Sequence, residues 1–370
     1  MLKVAFIGWR GMVGSVLMGR MIEEGDFAGY EPLFFSTSNV GGKGPDVGFD
    51  IPPLQDAYDV KLLSSMDVIV SCQGGDYTKR VYPELRNMGW QGYWIDSAST
   101  LRMDPDSIIV LDPVNRHVID AGLSSGIRTY VGGNCTVSLM LMALAGLFAS
   151  GHVKWVSSMT YQAASGAGAN NMKELISQMR VLGQVAADLL DDPASTAIAV
   201  DVAVTKAMRS ENFPTKYFSA PLAGSLIPWI DVPMDSGQTR EEWKGYVETN
   251  KILNSEKNPI PIDGICVRIG AMRCHSQAIV VRLDKDIPID EIYDMIGNAN
   301  EWVDIVPNEK ESTLKHLSPA AVSGTLKVPV GRLRKMLMGP EYVSVFTVGD
   351  QLLWGAAEPV RRMLKIILAR

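Results

Sequence analysis

The chain has 370 residues, of which 46% are hydrophobic and 21% are charged, and its formal net charge is −6 at pH 7. This balance is typical of a globular protein with a substantial core, and the length suggests two domains. The negative charge argues against a general nucleic-acid or acidic-membrane surface, which needs a basic field, but leaves room for a small basic pocket.

The N-terminal segment LKVAFIGWRGMVGSVLM predicts a buried strand, a glycine turn and a helix. The continuous apolar run at residues 4–7 is typical of a parallel strand that is covered on both faces. Gly8, Gly11 and Gly14 follow at a spacing of three, where a pyrophosphate-binding turn needs small residues in front of helix N–H groups. Because the pattern is GxxGxxG rather than GxGxxG, a glycine-rich turn without a ligand is the alternative.

The next predicted strand, EPLFFS, leads into Ser36, Thr37 and Ser38. An NAD site usually has Asp or Glu at this point to bind the ribose 2′-hydroxyl, and no carboxylate stands here. The hydroxyl groups and the nearby Arg10 could instead accept a 2′-phosphate, which favours NADP. The alternative is a polar loop with no bearing on cofactor choice.

Further strand-like runs follow at residues 66–75, 92–99 and 107–115, with helical stretches such as 78–88 between some of them. This alternation predicts an α/β fold with a doubly wound, mostly parallel sheet, whose ligands bind at the carboxyl ends of the strands. Gln73 stands at one of those ends and is a candidate cofactor contact. It could equally be an ordinary loop residue.

From Gly151 the pattern changes to longer strands that alternate apolar and polar residues, as in VKWVSSMTYQ, GICVRIGAMRCHSQAIVVRL and YVSVFTVGDQLLW. The alternation predicts an antiparallel sheet with one face against helices, and hence a second, α+β domain. The last stretch, AAEPVRRMLKIILAR, predicts an amphipathic helix. No apolar run reaches the roughly 18 residues that a membrane span needs.

Cys135 stands in VGGNCTVSLM, between a glycine turn and a run of helix formers. At a helix N-terminus the dipole favours a thiolate, and free N–H groups can bind a substrate oxyanion. A buried structural cysteine is the alternative. Cys72, Cys266 and Cys274 lie in predicted strands and are interpreted as structural. No CxxC pair predicts a metal site, and without a secretory signal at its start we expect the chain in a reducing cytoplasm.

A thiol nucleophile usually has a base, and His275 is the best candidate among the four histidines because it lies between apolar strand stretches. Arg268 is seven residues earlier, and in one straight strand an odd separation puts the two side chains on opposite faces. A bulge or turn at Gly270 would bring both to one site. A satisfied core or surface histidine is the alternative.

The segment QTREEWKG fits a capping box, with Thr239 as the N-cap and Glu242 three residues later. Glu241 and Lys244 then lie one turn apart on the same helical face. From the spacing alone they would be interpreted as a solvated ion pair.

A series of motifs resembles the aspartate-semialdehyde dehydrogenases, in the form typical of Gram-negative bacteria. In chain order they are FIGWRGMVGS, FFSTS, SCQGGDYT, GGNCTVSLM, TYQAASGAG, SLIPWID, REEWKG, ETNKIL, RCHSQA, VGRLRK and GDQLLWGAAEP. The resemblance covers nearly the whole chain, and all the motifs in this order are far more specific than any one of them. The Cys-Thr turn is also similar to that of other phosphorylating aldehyde dehydrogenases, such as glyceraldehyde-3-phosphate dehydrogenase.

The resemblance implies the reversible reductive dephosphorylation of 4-phospho-L-aspartate to L-aspartate 4-semialdehyde. The reaction would use NADP and a cysteine acyl-thioester, on the route to lysine, methionine, threonine and diaminopimelate. The implied domains are an NADP-binding domain at 1–133, joined by the C-terminal helix at 356–370, and a catalytic and dimerisation domain at 134–355. A cytoplasmic homodimer is expected, with no metal, nucleic-acid or membrane partner.

The resemblance also implies a role for each matching residue. Cys135 is expected to be the nucleophile, His275 the acid/base, and Gln162 a catalytic and substrate-binding group that orients the reacting carbonyl. Arg268 is expected to bind the substrate carboxylate through two parallel hydrogen bonds, and Glu241 the substrate ammonium.

Arg102 and Lys244 match the phosphate-binding residues. The turn that reads close to SGGGA in the family is SGAGA here, and a positive φ at Ala167 would be a problem. The cofactor contacts that the resemblance implies are Arg10, Gly11, Met12, Val13, Thr37, Ser38, Gln73, Ser165, Gly166, Ala167, Gly168, Ala169, Pro193 and Gln351.

Two other functions stay open. An N-acetyl-glutamyl-phosphate reductase would share the fold and the Cys/His chemistry, but Arg268 and Glu241 favour a substrate with a free amino-acid head. A non-catalytic NADP-binding module with a structural cysteine would bind the cofactor without phosphate-dependent hydride transfer.

Overall fold

The structure is a computed structural model that describes all 370 residues, arranged as strands and helices around two sheets. The strands are β1 (Lys3–Ile7), β2 (Glu31–Ser36), β3 (Gln55–Asp56), β4 (Val68–Ser71), β5 (Tyr93–Asp96), β6 (Ser107–Val110), β7 (Thr129–Gly132), β8 (Val153–Gln162), β9 (Leu226–Ile227), β10 (Ile262–Asp263), β11 (Cys266–Ile269), β12 (His275–Leu283), β13 (Val303–Ile305), β14 (Val328–Met336) and β15 (Gly339–Gly349). The helices are α1 (Met12–Glu23), α2 (Val60–Leu63), α3 (Gly75–Asn87), α4 (Asp112–Ser125), α5 (Cys135–Ala149), α6 (Ala169–Asp191), α7 (Ala197–Met208), α8 (Arg240–Ile252), α9 (Ile289–Gly297), α10 (Lys310–His316), α11 (Pro319–Val322) and α12 (Glu358–Leu368). Short 3₁₀ turns at Ser99–Leu101 and Ala164–Ala167, and a π-helical turn at Leu353–Ala357, complete the chain.

The first sheet is seven-stranded and parallel throughout, in the order β3-β2-β1-β4-β5-β7-β6. Its central strands are buried on both faces, which explains their continuous apolar sequence. The strand order reverses between β1 and β4, and the carboxyl ends of these two strands form the crevice where ligands bind in such sheets. The predicted doubly wound domain is confirmed.

The second sheet has eight strands, in the order β13-β14-β15-β12-β8-β11-β9, with β10 also paired to β8. It is mixed, so the prediction of an antiparallel sheet is wrong in part: β10 and β11 run parallel to β8, and β13 runs parallel to β14. Parallel neighbours need a long connection, and α6, α7 and α8 lie between β8 and β10 in the chain. The apolar helix α5 packs into the core beside this sheet.

The segment GICVRIGAMRCHSQAIVVRL forms two strands, β11 and β12, which lie on opposite sides of β8. Of the three cysteines assigned to strands, only Cys266 lies in one. Cys72 follows β4, and Cys274 stands just before β12 with a φ of 76°. These two positions correct the sequence-based prediction, which had no means of locating the strand ends.

Helix α12 packs against the first sheet rather than the second. One side of it is apolar, and Val360, Met363, Leu364 and Ile367 belong to the core that also contains residues of β1, β2 and β4. On its other side, Arg362 pairs with Asp112 of α4. The chain therefore returns to its N-terminal half at the end.

The hairpin of α6 and α7 leaves apolar side chains exposed, since no residue of α7 is buried. Leu190, Ile198 and Val202 are more than half exposed, and so is Trp229 in the loop after β9. No helix of the protein combines the length and the apolar character that a bilayer span requires.

Candidate active site

Cys135 begins α5, as predicted, and Asn134 is the N-cap. The Asn134 Oδ1 atom accepts hydrogen bonds from the N–H groups of Thr136 and Val137, at 3.0 and 3.2 Å. These two amides are therefore occupied, which corrects the expectation that they are free for a substrate oxyanion. The Cys135 amide itself donates to no acceptor within the protein and is the donor that remains for this purpose.

Cys135 borders a cavity of about 550 Å³ that lies between the two halves of the chain. Most of the expected site residues also line it, although they come from distant parts of the sequence. They are Arg102, Gln162, Glu241, Lys244 and Arg268, together with the expected cofactor contacts Met12, Val13, Ser165, Gly166, Ala167, Gly168 and Gln351.

The second sheet brings three of the predicted side chains together at one end of β8. Arg268 on β11 pairs in register with Gln162, the last residue of β8. On the other side of β8, Ser276 pairs with Tyr161, so His275 lies beside Gln162. Arg268 and His275 therefore share a site because their strands flank β8. Of the bulge or turn expected at Gly270, the structure has the second: residues 270–274 form the connection between the two strands.

His275 is fully buried, and its ring is oriented by the backbone. The N–H of Ala163 donates to His275 Nδ1 at 3.0 Å, so a neutral ring carries its proton on Nε2. Burial, with the nearby Arg268 guanidinium, lowers the pKa of His275 to about 3. The Nε2 atom has no hydrogen-bond partner in the protein. The ring is thus a neutral donor whose Nε2–H is unused.

Gly166 separates His275 from the cavity. A Cβ atom at this position would lie 2.9 Å from both His275 Nε2 and Arg268 Nη1. Only a residue without a side chain leaves room there, so the backbone of Gly166 packs directly against both donors. The neighbouring Ala167 has no positive φ, so the alanine in SGAGA fits its turn.

The surroundings of the Cys135 thiol favour its protonated form. Although it borders the cavity, burial and then the Glu241 carboxylate raise the pKa of Cys135 to about 12. The charges of Arg268, Arg102 and Lys244 act in the opposite direction but are outweighed. Desolvation and the Glu241 charge therefore oppose the helix N-terminus, which favours a thiolate.

Glu241 is the centre of a buried hydrogen-bond network. Its side chain is 8% exposed, and that of Lys244 is 14% exposed, so the interpretation as a solvated ion pair is wrong. Glu241 Oε2 accepts from Lys244 Nζ at 3.0 Å, and Oε1 accepts from Asn134 at 2.9 Å and from Gln162 at 3.2 Å. The predicted capping box of Thr239 and Glu242 positions this turn and is confirmed.

Sequence reasoning missed Asp231, which lines the cavity in the loop after β9. Its carboxylate accepts from Lys244 Nζ at 2.9 Å and from Arg240 at 2.9 and 3.0 Å. Burial would raise the pKa of Asp231, but Arg240 and Lys244 outweigh it and lower the pKa to about 2. The residue stands in the SLIPWID motif, where no spacing rule relates it to the helix that it contacts.

A second residue missed is Glu248, which is buried on α8. Its carboxylate contacts Arg102 and the backbone of Asn134, one on each oxygen. Its spacing of seven residues from Glu241 places both on one helical face, and this was the signal available in the sequence.

A second hollow of about 370 Å³ lies beside the glycine turn of β1. Arg10 donates there to the hydroxyl groups of Ser36 and Ser38, at 3.1 and 3.2 Å. Thr37 and Gln73 also line it. A Cβ atom on Gly14 would lie 2.2 Å from the Gly8 carbonyl oxygen, so the turn requires glycine at that position.

Helix α1 starts with three amides, those of residues 12–14, that donate to no acceptor within the protein. Free amides at a helix N-terminus are suited to a phosphate group. This end of α1 connects the hollow at Arg10 to the Cys135 cavity, since Gly11 lines the former and Met12 the latter.

Three of the expected cofactor contacts have surroundings that differ from those of the others. Ala169 and Pro193 line neither the cavity nor the hollow. Gln351 lines the cavity, but its side chain is used within the protein: Oε1 accepts from the Cys274 amide at 2.7 Å and Nε2 bonds to the Ser165 hydroxyl. It thereby connects the SGAGA turn to the residue before His275.

The sequence models of two known protein-family domains match the chain. One is described as "Semialdehyde dehydrogenase, NAD binding domain" and matches residues 3–122; the other is "Semialdehyde dehydrogenase, dimerisation domain" and matches residues 144–354.

Solved structures of whole enzymes are similar as well. Aspartate semialdehyde dehydrogenase from Francisella tularensis is 50% identical with a TM-score of 0.94, and the match covers 99% of this chain and 100% of that one. Aspartate semialdehyde dehydrogenase II from Vibrio cholerae is 24% identical with a TM-score of 0.79, and the match covers 100% of this chain and 99% of that one. An enzyme from Candida albicans, solved with NADP, is 16% identical with a TM-score of 0.65 over 99% and 98%. The last two similarities concern the fold alone.

Proposed function

The chain belongs to the semialdehyde dehydrogenase family and, within it, to the aspartate-semialdehyde dehydrogenases. From this membership we propose which residues carry out each part of the reaction. The reaction is the reversible reductive dephosphorylation of 4-phospho-L-aspartate to L-aspartate 4-semialdehyde. The observation that carries the assignment is the convergence of Cys135 with the guanidinium groups of Arg102 and Arg268 at one cavity. The carboxylate of Glu241 and the ammonium of Lys244 complete that cavity.

In the reductive direction, Cys135 Sγ attacks the acyl carbon of the bound substrate. The C–S bond forms, the bond from carbon to the phosphate oxygen breaks, and inorganic phosphate leaves with that electron pair and takes up the proton that the thiol loses. The product of this step is an acyl-thioester on Cys135. Arg102 and Lys244 stabilise the phosphate charge, whereas Arg268 binds the α-carboxylate and so orients the carbonyl carbon towards the sulfur.

A nicotinamide cofactor supplies the hydride that reduces the thioester. The free amides of α1 are the groups that would bind its pyrophosphate, because they face the cavity edge and have no partner within the protein. The Arg10 guanidinium, with the hydroxyl groups of Ser36 and Ser38, would bind a 2′-phosphate. No carboxylate lines that hollow, which supports NADP over NAD.

His275 acts as a neutral hydrogen-bond donor in this assignment. Its Nδ1 faces an amide N–H and cannot carry the proton at the same time, so Nε2 is a donor rather than an acceptor. A donor suits the negative sulfur and the oxygen that becomes negative as the carbonyl is attacked. The ring orientation therefore supports hydrogen-bond donation by His275, and its acid/base role stays a proposal.

For Cys135 to lose its proton, the electrostatic field around the thiol has to change. Burial is the main cause of the raised pKa of Cys135, Glu241 is the charged group that adds to it, and three cations oppose it. A substrate ammonium beside Glu241 would neutralise this carboxylate and lower the pKa of the thiol.

The match to a dimerisation domain supports a homodimer. The four cysteines are free thiols, and we place the enzyme in the cytoplasm, where thiols stay reduced.

The decisive assay is NADPH formation from L-aspartate 4-semialdehyde with and without inorganic phosphate. Turnover should require phosphate, prefer NADP to NAD, and be lost essentially completely in Cys135→Ala, while this variant keeps its NADP affinity. Preference for N-acetyl-glutamate semialdehyde would indicate the related reductase. Cofactor binding without phosphate-dependent turnover would indicate a binding module.

A further inference from the structure

Helix α8 presents a row of charged side chains to the active site at the spacing of one helical face. Glu241, Lys244 and Glu248 lie at positions i, i+3 and i+7. The proposed function uses the first two as ligand-binding groups. Glu248 is 2% exposed and is not among the residues that line the cavity, so a direct contact with substrate is not its role.

Both oxygens of the Glu248 carboxylate have a specific donor. Oε1 accepts from Arg102 Nη1 at 3.1 Å, and Oε2 accepts from the backbone N–H of Asn134 at 2.6 Å. Arg102 belongs to the loop after β5, and Asn134 is the residue directly before Cys135. One carboxylate therefore connects the phosphate-binding loop to the nucleophile turn.

Arg102 is held so that part of its guanidinium stays available. Its Nε donates to the Gly132 carbonyl at 2.7 Å, and Nη1 donates to Glu248. Nη2 donates to no acceptor within the protein, and Arg102 lines the cavity. Two of the three nitrogens are thus fixed, and the third is left to bind an anionic oxygen.

Asn134 is fixed by the same helix from two sides. Its backbone N–H donates to Glu248, and its side-chain Nδ2 donates to Glu241 at 2.9 Å. Its Oδ1 is then oriented to cap α5, which determines where Cys135 lies at the helix start. The two carboxylates of α8 consequently set the position of the nucleophile through the preceding residue.

We propose that Glu248 is a positioning residue for the reaction, which orients Arg102 towards the phosphate group and fixes the Asn134–Cys135 turn opposite it. This inference rests on the proposed function, because it takes Arg102 as a phosphate ligand and Cys135 as the nucleophile. This positioning role requires the negative charge of the Glu248 carboxylate as well as its shape. A neutral amide offers only one acceptor oxygen, so its NH₂ group would face a second donor and one of the two contacts would be lost.

The test is Glu248→Gln, which keeps the volume of the side chain. We expect the phosphate KM in semialdehyde oxidation to rise by roughly ten- to hundredfold, the range for losing a hydrogen bond to a charged group. The NADP dissociation constant should stay within about twofold of wild type, since Glu248 lies away from the groups that would bind the cofactor. Glu248→Asp keeps the charge but is one methylene shorter, and it should shift the phosphate KM in the same direction.

Glu174→Gln is a matched control for the cost of replacing a buried carboxylate. Glu174 is also buried, accepts from the N–H groups of Tyr217 and Phe218, and does not line the cavity. It should lower the melting temperature without raising the phosphate KM. If both Glu248 variants lower stability as this control does and leave the phosphate KM within twofold of wild type, Glu248 is only a structural residue and the proposal is wrong.

A double-mutant cycle with Arg102→Ala tests whether Glu248 acts through Arg102. The phosphate KM of Arg102→Ala/Glu248→Gln should equal that of Arg102→Ala within about twofold, because the guanidinium that Glu248 orients is already absent. Additive losses would contradict the proposal. Failure of the proposed function is distinguishable from both outcomes, since the wild-type enzyme itself would then show no phosphate-dependent turnover.

Discussion

At the scale of single residues, the chemistry of the site depends on which polar atoms already have a hydrogen-bond partner within the protein. The sequence predicts Cys135 at a helix start and His275 as its partner, because residue type and local pattern carry that information. It does not predict that Asn134 occupies two amides of α5, or that the Ala163 amide fixes the proton of His275 on Nε2. The first is the usual bond of an Asn N-cap, a local pattern that the sequence analysis did not use. The second joins residues more than a hundred positions apart, which local patterns do not encode.

The buried His275 makes the stability of the protein depend on pH. Its pKa is about 3 in the folded protein and about 6.5 when unfolded, so between these values the unfolded state binds one more proton. Stability therefore falls as the pH decreases below about 6.5, by up to ~1.4 kcal/mol per pH unit from this residue. His275→Gln should reduce that slope in urea unfolding between pH 5 and 7.5, at a fixed protein concentration.

The exposed His316→Gln is the control for this measurement. This variant removes an exposed imidazole ring and leaves the buried His275 ring in place. The slope of stability against pH should therefore equal that of wild type. Equal slopes for wild type and His275→Gln would show that the His275 ring is protonated in the folded state near its ordinary pKa.

At the scale of secondary-structure elements, the predictions from sequence were good where the pattern is local. The glycine turn before α1 and the capping box of α8 depend on residues within a few positions of each other. The separation of β11 from β12 by β8 depends on pairing between residues more than a hundred positions apart, as in Arg268 with Gln162. Alternation of apolar residues defines a face of each strand but does not specify its neighbours.

A substitution at Gly166 tests whether the site requires a residue without a side chain beside His275 and Arg268. In Gly166→Ala the new methyl group would displace Arg268 or His275 by a few tenths of an ångström. We expect kcat/KM to fall by about ten- to hundredfold, as is usual when reacting groups are misplaced, while the protein remains folded. The measurement is steady-state kinetics with circular dichroism on the same samples.

Gly19→Ala provides the comparison, since a Cβ atom at this exposed position of α1 would meet nothing within 4 Å. It should leave kcat/KM unchanged and increase stability by about 0.5–1 kcal/mol, the usual gain of alanine over glycine in a helix. Unchanged kinetics in Gly166→Ala as well would mean that the site does not require a residue without a side chain at this position.

At the scale of the whole molecule, the site lies where the two sheets meet, and the outer surface of the second half is unusually apolar. The helices α6 and α7 expose Leu190, Ile198 and Val202, within the residues that match the dimerisation family. Exposed apolar patches of this kind mark interaction surfaces. We therefore expect the dimer to bury this hairpin.

A charge on the hairpin should separate the subunits. Val202, which is 59% exposed in this structure, would be buried in such an interface, so Val202→Asp should convert the dimer to monomers in sedimentation velocity. Ile22→Asp, on α1 and outside the matched dimerisation region, is the control and should remain a dimer. A dimeric Val202→Asp at micromolar concentration would place the interface elsewhere.

The packing of α12 against the first sheet has a consequence for synthesis on the ribosome. Domains usually fold in order from the N-terminus as the chain emerges. Here Ala357, Val360, Met363, Leu364 and Ile367 complete a core whose other residues were made more than two hundred positions earlier. The first sheet therefore emerges early, keeps one apolar surface open to chaperones while the second half is translated, and closes only after α12 has left the exit tunnel.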